Sequence, residues 1–146
     1  MIIQEHVSGT EYGIDIVCPV LTHDPCFPDV LARKKLSMRS GETDSAKTVD
    51  GTPFHAMASS IAGLLKPSGL IDVDIIATHD GEQFAIDVNP RFGGGYAFSH
   101  AAGADVPSKY INELIGRADS SSFTRYSSNV YGAKYDQVML ARTDIG

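Results

Sequence analysis

The 146-residue chain has no tryptophan, only two cysteines and no long apolar run. No segment approaches the roughly 18 consecutive apolar residues that a membrane-spanning helix needs, and Met1 is followed by neither a basic nor a signal-like apolar stretch. The expectation is therefore a cytoplasmic chain with no membrane partner. Cys18 and Cys26 lie in no CxxC or Cys/His spacing, which excludes a zinc-finger pattern or a disulfide framework and leaves them as expected free thiols. Basic charge is also short, with 12 Lys and Arg against 18 Asp and Glu, so a general nucleic-acid surface is not expected. The one basic cluster, Arg33-Lys34-Lys35 with Arg39, needs a local reason.

What is present is ordinary globular material: 42% hydrophobic residues, 14 glycines and enough length for one domain with a real core. "MIIQEHV" reads as an opening strand, "SGT" as a turn and "EYGIDIVCPV" as an alternating strand. "LTHDPCFPD" reads as a loop and "VLARKKLSM" as another strand, while "RSGETDSAKTVDG" reads as a loop with a short strand. Thr52 and Pro53 have the chemistry of an N-cap and first turn for a helix carrying Phe54, Met57, Ala58, Ile61, Leu64 and Leu65 at helical spacing. A second helix is expected around residues 107–115, a surface loop in "RADSSSFTRYSSN" and a last strand in "GAKYDQVMLART".

The stretch "GLIDVDIIATHDGEQFAIDVNPRFGGGY" carries the chemistry. Asp80-Gly81 between two alternating runs is a strong two-residue hairpin signal, since a type I′ turn needs positive φ at both central positions. With residues 79 and 82 flanking that turn, Asp74 falls opposite Asp87 and Asp72 opposite Asn89. All four then share one face, and the other collects Ile71, Val73, Ile75 and Ala77 with Phe84, Ile86 and Val88. Like charges opposed in a sheet are destabilising, so something must offset them. A hard divalent cation, Mg²⁺ or Mn²⁺, is one answer, because carboxylates and an amide oxygen are its ligands and phosphate or water completes its shell. Spacing alone leaves a second reading open, in which the acidic face is simply solvated. Arg91, two residues past Asn89, has the fork that grips phosphate, and Gly93-Gly94-Gly95 offers backbone amides unobstructed by side chains.

"FAIDVNPRFGGGY" resembles the metal-binding strand of the ATP-grasp superfamily, especially its carbamoyl phosphate synthase-like carboxylate-amine ligases, where Glu is the common residue at the position of Asp87. "IIQEHVSGTEYGIDIV" is similar to that family's hinge strand and hairpin. The resemblance implies an α+β fold: the C-terminal ATP-grasp subdomain, a mainly antiparallel sheet with flanking helices. It implies that the backbone at Glu5 and Val7 meets adenine and that Glu11 bonds the ribose hydroxyls. Asp74, Asp87 and Asn89 would hold Mg²⁺ or Mn²⁺ against ATP, Arg91 would stand beside the transferring phosphate, and Arg33 would face the cofactor. The implied activity joins a small carboxylate substrate to an amine through an acyl phosphate. Residues 1–146 are expected to be one partial ATP-grasp domain, lacking the N-terminal domain and most of the lid, so a further chain supplying that half is an expected partner. The rival expectations are a non-catalytic nucleotide- or metal-binding module, or a subunit of a split enzyme.

Overall fold

The computed structural model describes residues 3–21, 27–117 and 121–137. Six strands, β1 (Thr10–Val17), β2 (Asp29–Arg39), β3 (Glu42–Val49), β4 (Leu70–Ala77), β5 (Gln83–Asn89) and β6 (Tyr131–Ala133), form one antiparallel sheet in the order β5-β4-β1-β2-β3-β6. Among the described residues three α-helices accompany them: α1 (His55–Leu65), α2 (Tyr96–Ala101) and α3 (Val106–Leu114). The α+β class read from the sequence is the one observed.

Period-two alternation sorts side chains between two faces. Ile14, Ile16, Val30, Ala32, Ile71, Val73 and Ile75 point one way and are covered by Phe54, Ala58 and Ala62 from the start and body of α1. Val17, Leu31 and Leu70 point the other way and meet Ala104 and Val106, with the rings of Tyr96, Tyr110 and Tyr126 packed around them. Each fully buried aliphatic side chain contributes about 1.5–3 kcal/mol, so these two clusters fix the sheet between its helices. Tyr126 adds a polar tie: its hydroxyl accepts from the Ala32 amide at 3.0 Å and donates to the Val49 carbonyl. This residue lies in the segment read from sequence as a plain surface loop. The helices cover only part of the second face, and the uncovered part carries the charged residues.

Several local expectations are corrected. Residues 3–9 form no strand, because no neighbouring strand among the described residues offers them a ladder. The segment read as loop and short strand is the eight-residue β3, joined to β2 by a tight turn in which Ser40 (φ 53°) and Gly41 (φ 80°) both take positive φ. Thr52 is not the cap of α1. It lies in a 3-10 turn, Thr52–Phe54, and the Asp50 carboxylate accepts from both its amide (3.0 Å) and its hydroxyl (2.8 Å). Leu64 and Leu65, at the end of the expected core stripe, are 83% and 52% exposed. The short helix α2 was not expected at all, and of the expected last strand the described residues show Tyr131–Ala133 beside β3, its residues 138–143 lying outside the described residues. Cys18 is buried, and Cys26 lies outside the described residues.

Candidate functional site: a charged cleft beside the β4–β5 hairpin

The hairpin reaches the expected pairing by an unexpected route. Its loop is one residue longer than a two-residue turn, since Thr78 and Glu82 close it with an amide-to-carbonyl bond of 2.9 Å and Gly81 takes φ 90°. Pairing then runs Ala77 with Gln83, Ile76 with Phe84 and Ile75 with Ala85. Continued unbroken, that register would turn Asp87 and Asn89 onto the apolar face. A β-bulge at Ile86 inserts one residue and restores Asp74 opposite Asp87 and Asp72 opposite Asn89. The same shift moves Phe84 to the acidic side, opposite Ile76, correcting its expected place in the apolar set.

Neighbouring strands extend this face. Gly13 of β1 lies between Asp74 of β4 and Arg33 of β2, and Asp15 lies opposite Asp72. With no side chain at Gly13, the Arg33 guanidinium crosses over β1, 3.1 Å from where a Cβ would stand. It donates through Nη1 to Asp15 Oδ2 at 2.5 Å and through Nη2 to Asp72 Oδ1 at 2.8 Å, all deep in the protein. Burial works against the charge on Arg33, but Asp15 and Asp72 outweigh it and hold the guanidinium firmly protonated. Burial pushes the Asp15 carboxyl up to about 6, with Arg33 pulling the other way. It also raises Asp72, again against Arg33.

Gly93 and Gly95 clamp this cluster from above. A Cβ at Gly93 would fall 2.2 Å from the Asp72 carboxylate, and one at Gly95 would fall 2.1 Å from Arg33 Nε. The glycine-rich loop is therefore needed for close approach to a buried ion cluster, a different reason from the free amides read from its sequence.

The remaining groups are more open. Lys35 Nζ sits 2.7 Å from Asp74 Oδ2, and Asn89 Nδ2 donates to Asp87 Oδ2 at 2.7 Å. Arg91 is exposed and donates to the Phe92 carbonyl at 3.1 Å. Glu42 on the rim is held by Lys134 at 3.0 Å, which keeps its carboxyl below the usual range. Together with Arg33, Lys35, Asp72 and Gly95, the residues Asp74, Asp87, Asn89 and Arg91 line one cleft of about 210 Å³.

A sequence model for the family described as "ATP-grasp in the biosynthetic pathway with Ter operon" matches residues 1–135. The chain belongs to the ATP-grasp family. No curated protein matches it in sequence. Among solved structures it is similar to the biotin carboxylase–β-γ-ATP complex from Campylobacter jejuni, with TM-score 0.65 and 14% identity over 88% of this chain and 30% of that one. It is also similar to an L-amino acid ligase from Bacillus licheniformis (TM-score 0.56, 14% identity, 84% of this chain and 34% of that one). The ADP complex of purK, N5-carboxyaminoimidazole ribonucleotide synthetase, matches with TM-score 0.54 and 15% identity over 70% of this chain and 28% of that one. At these identities the likeness is one of fold. The ATP-grasp chain spans about a third or less of the length of each of these structures.

Of the residues singled out from sequence, Asp74, Asp87, Asn89, Arg91 and Arg33 meet in the cleft. Arg33 lies 1% exposed on its floor with both terminal nitrogens engaged by Asp15 and Asp72. Glu11 sits opposite Ile76, on the cleft side of the sheet but outside its lining. Glu5 and Val7 lie in the irregular segment before β1, away from the cleft. Among the described residues no three His, Cys, Asp or Glu side chains converge as a metal cluster; the set facing the cleft's open side is two aspartates and one asparagine. Asp15 was missed, while Lys35 was singled out only as part of the basic cluster Arg33-Lys34-Lys35 with Arg39 and not as the partner of Asp74. Only the sheet register shows what they touch.

Proposed function

We propose that this chain is the Mg-ATP-binding, C-terminal portion of an ATP-grasp carboxylate-amine ligase, of the carbamoyl phosphate synthase-like kind, working through an acyl phosphate. The single observation that carries the reading is the bulge-set register that brings Asp74, Asp87 and Asn89 into one cleft with Lys35 and Arg91. Family membership supports ATP binding and ligase-type chemistry in general; the substrate class and the intermediate are our reading.

The donor set fits a hard divalent cation. Two carboxylates stand across a strand pair beside an amide, and Asp74 already accepts a cationic ammonium at 2.7 Å. Asp74, Asp87 and Asn89 would hold Mg²⁺ or Mn²⁺, which when bound supplies positive charge to the phosphate oxygens of ATP. Asn89 bonds to Asp87 and so orients it. Arg91, exposed at the end of β5, binds the γ-phosphate or the acyl phosphate made from it. Arg33 holds Asp72 back from the open side, leaving Asp74 and Asp87 as the ligands there. In the reaction a substrate carboxylate oxygen attacks the γ-phosphorus and ADP leaves. An amine then attacks the acyl carbon, phosphate leaves, and the nitrogen gives up a proton. The adenosine contacts we assign to Glu5, Val7 and Glu11 lie before and at the start of β1, outside the cleft's lining. The rest of the ATP-grasp fold, carried on the same polypeptide or a separate one, completes the enzyme, with the cytoplasm as its compartment. Among the described residues no helix is long and apolar enough to cross a membrane.

Calorimetric titration with ADP, with and without Mg²⁺, tests this on the chain and on Asp87→Asn. We expect Mg²⁺-dependent binding that weakens at least about tenfold in the variant, since a charged ligand is lost. A folded Asp87→Asn chain that binds equally well, or a parent that ignores Mg²⁺, would overturn the reading and return the acidic face to a solvated surface.

A further inference from the structure

Lys35 is held differently from its neighbour Arg33. Arg33 is gripped by two carboxylates and covered by Gly95, so it has no room to move. The Lys35 side chain is only 7% exposed, and its ion-pair partner among the described residues is Asp74, whose own side chain is 28% exposed at the cleft. The ammonium therefore stands on a carboxylate we assign to the metal, at the open end of a flexible stem. It is a compact, strongly hydrated charge that can be exchanged for another cation, as a forked guanidinium is not.

We propose that Lys35 is a placeholder cation: it neutralises Asp74 while the cleft holds no metal, and a divalent cation arriving at Asp74 and Asp87 displaces it toward an anion in the same cleft. The inference rests on the metal-site reading above. Its physical consequence is coupling. Without an anion, the displaced ammonium and the divalent cation repel each other across a few ångströms, so Lys35 opposes metal binding. With a phosphate-bearing ligand present, both positive charges have a partner, and metal and ligand assist one another. The arrangement discourages a bare cation from occupying the acidic pair and favours its arrival together with the nucleotide.

The test is Mn²⁺ titration of the full chain and of Lys35→Met without nucleotide, followed by electron paramagnetic resonance of the free ion. The methionine keeps an apolar stem where the lysine stem is buried. We expect Lys35→Met to bind Mn²⁺ roughly three- to tenfold more tightly, the range that loss of a partly exposed ion pair permits. Equal or weaker binding by a folded variant, with the parent still binding Mn²⁺, overturns the placeholder and leaves the metal site standing. If neither binds Mn²⁺, the metal-site reading fails and takes this inference with it. A second measurement needs no variant: lysine acetylation of the parent chain, read by mass spectrometry. Mn²⁺ should raise labelling at Lys35 but not at Lys66, and ADP added with Mn²⁺ should lower it again. Lys35 labelling indifferent to saturating Mn²⁺ would refute the displacement, and failure of ADP to protect would refute the transfer to an anion.

Discussion

Replacing Asp15 by asparagine asks what the buried cluster is for. One guanidinium lies between two carboxylates, so Asp15, Arg33 and Asp72 together carry an excess negative charge, with Asp15 and Arg33 cut off from water and Asp72 reaching it only at the cleft floor. Asp15 Oδ1 has no hydrogen-bond partner among the described residues. Burial accordingly raises the Asp15 carboxyl from 3.8 to about 6 despite the pull of Arg33. A carboxyl whose folded pKa exceeds its unfolded value takes up protons on folding. Its contribution to stability is therefore greatest below about pH 4 and is lost as pH rises through about 6. That shift corresponds to about 3 kcal/mol.

Asparagine has nearly the same shape and no charge at any pH. Removing one partner of a buried ion pair ordinarily costs about 3–5 kcal/mol, because the other charge is stranded. Arg33 is not stranded here, since Asp72 remains 2.8 Å away and the two form a balanced pair. We expect Asp15→Asn to be more stable than the parent at pH 7.5 by up to about 3 kcal/mol, a rise in Tm on the order of 5–10 °C. Near pH 4 the two melting temperatures should converge. Thermal unfolding followed by circular dichroism at both pH values reads the effect. A variant less stable than the parent at pH 7.5, or a gap that does not close in acid, would show that excess buried charge is not the governing quantity.

Gly95→Ala should destabilise by about 1–3 kcal/mol, seen as a lower urea midpoint, because its Cβ would fall 2.1 Å from an Arg33 Nε that is fixed at both ends. Lys66→Gly should instead stabilise by about 0.5–1 kcal/mol in the same assay, since Lys66 ends α1 at φ 47°, a left-handed conformation that glycine adopts without steric cost.

How much of this was legible in the sequence depended on whether a feature announces itself in residue types. The alternation in "LIDVDIIA" and the Asp-Gly turn gave the hairpin and its two-sided character, and the fold class followed. The pairing of Asp74 with Asp87 came out right although the turn did not: a loop one residue longer and a bulge one residue wide offset each other. Nothing in Ile86 marks it as the bulged residue, since a β-branched side chain fits a regular strand equally well. β3 was underrated because "ETDSAKTV" is polar, although Ser40-Gly41 ahead of it has turn chemistry. The apolar start of the chain looked like a strand, yet a strand requires a partner that its own residues do not reveal. The burial of Arg33 was invisible for the same reason, since the register alone sets Gly13 between it and Asp74 and Asp15 opposite Asp72.

The register also explains how four acidic side chains share one face without tearing the sheet apart. They are sorted by depth, and each depth has its own counter-charge. At the inner level Asp15 and Asp72 surround Arg33 under Gly93 and Gly95, where side chains on the loop would collide and the groups are fixed. At the outer level Asp74 holds a lysine and, among the described residues, Asp87 holds a neighbouring amide, both lining the cleft. A fixed inner cluster restrains Asp72 and keeps the β1–β4 pair in place, whereas the outer carboxylates, facing Lys35 and the exposed Arg91 in the same cleft, are free of such a clamp. Destabilisation from the excess inner charge and readiness of the outer carboxylates are then two results of one arrangement. That is why Asp15→Asn should raise stability while loosening the hold on Arg33, and why Lys35→Met should act on metal affinity rather than on the fold.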